Sequence, residues 1–115
     1  MGRKADMAMI ADLKKELERE AEEQNIPILR AAERKLLLDT AAEADPKRIL
    51  EVGTAVGYSA LLLAERLPLA EIDTIEIDAL RNERAISVMQ AAGFEQRVRC
   101  HLGDAGEVLP TLTGL

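Results

Sequence analysis

Residues 48–59 read Arg48-Ile49-Leu50-Glu51-Val52-Gly53-Thr54-Ala55-Val56-Gly57-Tyr58-Ser59, and the fold turns on how this stretch is parsed. Its first five residues are a short, mostly apolar run ending at Gly53, the pattern of a strand buried on both faces of a parallel sheet. A glycine-bearing turn follows, and Tyr58 to Leu67 then has the composition of a helix, stopped by Pro68. Strand, turn and helix in that order form the corner where open α/β sheets bind ligands, outside the carboxyl ends of the strands. Gly53 and Gly57 permit backbone geometry and close approach that a side chain would forbid. Ala55 stands where a G-x-G-x-x-G fingerprint needs a glycine to clear room for pyrophosphate, which disfavours a nicotinamide or flavin cofactor. The turn also lacks the Gly-Lys-Ser/Thr of a triphosphate loop, so the anion it suits is a single carboxylate rather than a phosphate chain.

Downstream, Glu71-Ile72-Asp73-Thr74-Ile75-Glu76-Ile77 alternates and is rich in isoleucine, which predicts a second strand. Asp78 is placed to cap the next helix, in which Ala85, Ile86, Met89 and Ala92 share a face and Gly93 supplies the stop. Val98 to Leu102 is a third strand, followed by Gly103-Asp104-Ala105 and a short helical turn near Glu107 to Leu109. Helices between the strands imply right-handed crossovers, and hence a Rossmann-like parallel sheet of about three strands in the order 3-2-1. Glu76 closes the second strand 23 positions beyond Gly53. That is near the roughly 20-residue offset at which an acidic side chain accepts ribose hydroxyls in such folds, so turn and carboxylate together point to a nucleoside ligand.

Upstream lie two helices. From about Ala5 to Gln24, Met9 or Ile10, Leu13, Leu17 and Ala21 recur at helical spacing, while Glu18, Glu20, Glu22 and Glu23 oppose the helix dipole and read as a solvated face. Asn25-Ile26-Pro27-Ile28 breaks this helix. A second runs from about Leu29 to Ala44 with Leu29, Ala32, Leu36, Leu37 and Thr40 along one side, closed by Asp45-Pro46. The expected division is a helical arm over residues 1–45 and a partial Rossmann-like domain over residues 46–115.

Composition narrows the function. With 115 residues, 48% hydrophobic and 31% charged, the chain has the make-up of one folded domain. A net charge of −6 repels polyanions, and 2% aromatic content leaves little to stack unpaired bases. The absence of a long apolar run predicts no signal peptide or membrane span. Cys100, the sole cysteine, fits a reducing compartment and reads as a small core residue, so a cytoplasmic protein is expected. His101, the sole histidine, has no visible partner and is expected to be structural.

Three motifs, Ile-Leu-Glu-Val-Gly-Thr-Ala-Val-Gly-Tyr-Ser (residues 49–59), Thr-Ile-Glu-Ile-Asp (74–78) and Gly-Asp-Ala with Val-Leu-Pro behind it (103–110), carry a resemblance. The chain resembles class I S-adenosylmethionine-dependent O-methyltransferases of the catechol and caffeoyl-CoA type. Upstream, Glu-Glu-Gln-Asn-Ile-Pro-Ile-Leu (residues 22–29) is most similar to the branch that methylates 5-hydroxyuridine in bacterial tRNA. The resemblance implies that Glu51, Gly53 and Ser59 line the pocket for the methionine portion, with Leu29 contributing from the arm. Thr54 and Gly57 complete that turn, Glu76 holds the ribose diol, and Asp104 and Ala105 flank the adenine.

It also implies that a full-length enzyme holds a divalent metal, Mg, on a fourth strand and a later Asp-Asn pair, beyond Leu115. The acceptor is then a hydroxyl of a small molecule or of a modified tRNA uridine. This chain alone is expected to lack turnover, being either an enzyme fragment or an incomplete cofactor-binding or assembly module. A different Rossmann-like nucleotide binder is the third reading, disfavoured by Ala55. The first strand would have a bare edge, from which self-association is expected, through that edge or by exchange of the N-terminal helices.

Overall fold

The computed structural model describes residues 3–112, with side chains from Met7 onward. Helices α1 (Arg3–Gln24) and α2 (Ala31–Ala44) precede β1 (Arg48–Val52), α3 (Tyr58–Arg66), β2 (Glu71–Glu76), α4 (Ala79–Ala92) and β3 (Val98–Leu102). A short α5 (Ala105–Val108) and a single 3-10 turn, Leu109–Thr111, follow. The strands are parallel with β2 central, in the order β1-β2-β3, which is the 3-2-1 arrangement expected. Register pairs Val52 with Ile75 and Glu76 with Leu102, so the carboxyl ends of all three strands finish side by side.

Local chemistry explains the boundaries. The Asp78 side chain accepts the Arg81 N–H at 2.9 Å and starts α4. Gly93, at φ +78°, ends it, and the Phe94 N–H returns to the Met89 carbonyl at 2.8 Å.

The two sheet faces differ. Ile49, Ile72 and Val98 share the face under α3 and α4, and α1 and α2 pack onto those helices. Ile10, Leu13, Leu17 and Ala21 of α1 enter this core, while Met9 stays outside. Arm and sheet therefore share one hydrophobic cluster.

Two helix faces depart from expectation. In α2 the residues against the core are Leu37, Leu38, Ala41 and Ala42, while Leu36 is 69% exposed and Ala32 and Thr40 face solvent. The alanine-rich helix offers more than one apolar side, and α3 selects among them. In α4 Val88 and Asn82 are buried, whereas Ile86 is exposed.

The opposite face of β1 carries Leu50 and Val52, and both are exposed. Burial of β1 on both faces is thus not realised: among the described residues no helix covers that side and no strand pairs its outer edge. The central β2 is buried from Ile72 to Glu76 on both faces despite its alternating sequence. On the open side Asp73 is buried by cations, receiving Arg48 at 2.8 Å and Arg99 at 3.0 Å. His101 Nε2 lies 2.9 Å from the same carboxylate, so the lone histidine does have a partner. Burial pushes the Asp73 carboxyl up, but the hydrogen bonds from Arg99, His101 and Arg48 outweigh it and hold the group well below the usual carboxylate range.

The acidic side of α1 is also not simply solvated. Arg84 of α4 donates to Glu20 at 2.9 Å and to Glu16 at 3.0 Å, and the Tyr58 hydroxyl donates to Glu18. These contacts clamp the arm to α3 and α4; Glu22 and Glu23 are exposed as expected.

Candidate functional site

The turn after β1 is pinned to the end of β2. Gly53 and Thr54 N–H groups both donate to the Ile75 carbonyl, at 2.8 and 3.2 Å. Gly53 sits at φ +88° and Ala55 at φ +49°, both left-handed, so the backbone doubles back on itself. The Ala55 N–H consequently reaches Glu76 Oε1 at 2.7 Å, while Asp78 N–H donates to Oε2 at 2.9 Å. Glu76, 6% exposed, is thereby fixed as an acceptor beside the turn.

Beside this turn lies a cleft of about 250 Å³. Ile28, Leu29 and Glu33 come from the arm, and Gly53, Thr54, Ala55 and Ser59 form the facing wall. Four of the candidate residues, Leu29, Gly53, Thr54 and Ser59, therefore line one cavity. Gly57 does not: at φ +89° it caps α3, and a Cβ there would stand 3.2 Å from Ala85 and Met89. Its role is to let α3 approach α4. Gly57 brings no side-chain acceptor to the first turn of α3.

Asp104 and Ala105 lie at the end of β3, outside the cleft. Gly103 N–H donates to the Glu76 carbonyl at 2.9 Å, which sets them on the far side of Glu76 from the turn. Strand ends thus present the turn, Glu76 and Asp104 in a row.

Glu51 is half-buried behind the turn and accepts the Thr74 hydroxyl at 2.7 Å. Burial raises its carboxyl to about 7, only partly offset by that hydrogen bond. Glu33, Tyr58 and Thr74 were missed as site residues. Glu33 accepts the Arg30 N–H at 3.0 Å, but arginine is not a capping residue type, so the sequence carried no signal for it. Thr74 had none, because a strand's neighbours are not written in its own sequence.

The profile of the O-methyltransferase family matches residues 4–114. The chain belongs to the O-methyltransferase family. Among curated relatives of this O-methyltransferase chain, a "Probable O-methyltransferase" of Mycobacterium tuberculosis is 34% identical over 108 residues, covering 90% of this chain and 46% of that protein. The catechol O-methyltransferase of the same organism is 35% identical over 85 residues, 73% of this chain and 39% of its own length. The O-methyltransferase TomG of Streptomyces achromogenes, solved with S-adenosylmethionine, superposes with a TM-score of 0.75 at 33% identity, over 92% of this chain and 47% of TomG. A Bacillus cereus O-methyltransferase solved with S-adenosylhomocysteine gives 0.77 at 25% identity, over 87% and 47%. The chain spans about half the length of these relatives. Among the described residues no helix is long and apolar enough to cross a membrane.

Proposed function

We propose that the cleft between the arm and the turn after β1 binds S-adenosylmethionine, and that the chain is the cofactor-binding half of an enzyme that methylates a hydroxyl. The observation that carries this reading is the 2.7 Å bond from Ala55 N–H to Glu76, which holds the turn and the strand-end carboxylate side by side. Relatives solved with the cofactor or its product support it.

Each part of the ligand finds matching chemistry. The start of α3, uncapped by a side chain and lining the cleft through Tyr58 and Ser59, suits the methionine carboxylate, helped by the helix dipole. Ionised Glu51 favours the nearby ammonium or sulfonium charge. Each Glu76 oxygen has one bond in place and a further lone pair to accept ribose hydroxyls. Asp104 and Ala105, at the end of β3 beyond Glu76, would flank the base.

The acceptor we propose is a small-molecule hydroxyl or a modified tRNA uridine, the latter on the resemblance of residues 22–29 to the tRNA-modifying branch. Among the described residues no three His, Cys, Asp or Glu side chains are grouped to hold a metal. The resemblance assigns the divalent ion to a fourth strand and a later Asp-Asn pair, not to the described residues. Transfer depends on aligning acceptor oxygen, methyl carbon and sulfur, so the chain alone should bind cofactor without turnover. A second copy pairing along the free edge of β1 is the proposed partner, because α1 already packs into its own core. Sedimentation showing only monomer at every concentration would refute that pairing.

Calorimetric titration tests the central reading. S-adenosylhomocysteine should bind, and Glu76→Gln should weaken it about tenfold or more through the lost charged acceptor. Heat from NADH with none from either adenosyl ligand would overturn it.

A further inference from the structure

Thr74 lies in the middle of the central strand, wholly buried, in the cross-strand row Glu51, Thr74, Cys100. A hydroxyl has one proton to donate. Thr74 directs it to Glu51 Oε1 at 2.7 Å, and so must accept from Thr54, whose Oγ1 is 2.5 Å away. Thr54 lines the cleft. The three side chains therefore form a directed line from the cleft wall to a carboxylate inside the sheet. If Glu51 takes up a proton it becomes a donor, and Thr74 can turn its own proton back toward Thr54.

Among the described residues no cation offsets the Glu51 charge. From β3 comes Cys100, whose thiol is pushed up to about 11 by burial and then by the Glu51 charge, and so is neutral at physiological pH. Glu33 of α2 and Tyr58 of α3 line the cleft, and Glu76 sits beside the turn. None of these is a cation.

Building on the cofactor reading above, we propose that Thr74 is a positioning residue that relays the protonation of Glu51 to Thr54 and makes ligand binding in the cleft pH-dependent. With Glu51 ionised, the line runs Thr54 to Thr74 to Glu51, and a negative charge lies behind the cleft to favour a cationic amino group. With Glu51 protonated the charge is gone and the line reverses. Affinity for an adenosyl amino acid then rises as pH climbs through the Glu51 midpoint, by up to about tenfold per pH unit below it. The Thr74 hydrogen bond lowers that midpoint, so removing it moves the midpoint up.

The test titrates S-adenosylhomocysteine into the full chain across the neutral range, for wild type, Thr74→Val and Thr74→Ser. In parallel, carbon-detected NMR follows the Glu51 carboxyl in the ligand-free proteins. An upward midpoint in Thr74→Val, restored in Thr74→Ser, supports the relay; equal midpoints in folded wild type and Thr74→Val overturn it. Should Thr74→Val fail to fold, Thr54→Val cuts the line at its other hydroxyl, and an unmoved Glu51 midpoint there also overturns it. Absence of binding by wild type at every pH would sink the cofactor reading, while the ligand-free carboxyl titration would still decide whether Thr74 tunes Glu51.

Discussion

Glu51→Gln should make the protein more stable above neutral pH, against the usual cost of altering a half-buried polar residue. Burial raises the Glu51 carboxyl from its ordinary 4.5 to about 7 in the folded chain. Between those values the folded state holds a proton that the unfolded state has released. Stability from this group is therefore fully present below the ordinary value and lost as pH rises through the folded one. A displacement of about 2.5 units at about 1.4 kcal/mol each gives about 3 kcal/mol in all, most of it falling between about pH 5 and pH 8.5. Glutamine has the same shape, keeps an acceptor for the Thr74 hydroxyl and carries no charge to desolvate. Urea unfolding of both proteins at the two pH values isolates the effect, because the other titrating groups cancel in the difference. Wild type should lose about 2 to 3 kcal/mol more than Glu51→Gln. Parallel pH profiles would show that the Glu51 carboxylate is solvated and that its burial costs nothing.

Asp73→Asn should destabilise by about 3 kcal/mol, because Arg48, Arg99 and His101 would face a neutral amide; chemical denaturation at neutral pH reads it. Since the Asp73 carboxyl is held below its ordinary 3.8, its contribution is present above that value and lost as pH falls below it, an acid loss the variant should not share. Gly57→Ala meets both a left-handed φ and contacts of 3.2 Å to Ala85 and Met89. Strain and overpacking together predict about 2 to 4 kcal/mol and a Tm lower by about 10 °C or more, measured by thermal melting. Tyr58→Phe removes the donor to Glu18 and should cost about 1 kcal/mol, with faster hydrogen exchange in α1 and unchanged exchange in β2.

What could be read in advance was whatever is encoded by neighbours in the chain. The Asp78 cap and the Gly93 stop each lie within a few residues of the groups they satisfy. The strand from Arg48 to Val52 and the helix from Tyr58 are likewise set by local patterning, and both stand where expected. The turn at Gly53 and the acidic end of β2 were legible as neighbours because parallel crossovers bring successive strand ends together. That is a property of chain connectivity rather than of any particular contact.

The partners of individual side chains were not legible in this way. His101 lacked a visible partner in sequence because Asp73, 28 positions away, becomes its neighbour only through the β2–β3 register. Glu18 and Glu20 read as solvated until α3 and α4 brought Tyr58 and Arg84 against them. Periodicity, caps and glycine conformations act over a few residues, so the order and type of the elements, and hence the corner that gathers the turn, Glu76 and Asp104, were already written in the chain. Which face of α2 is buried, why Leu50 and Val52 stay exposed, and that Thr74 joins Thr54 to Glu51 follow from the folded molecule alone, because those outcomes depend on which distant surfaces meet.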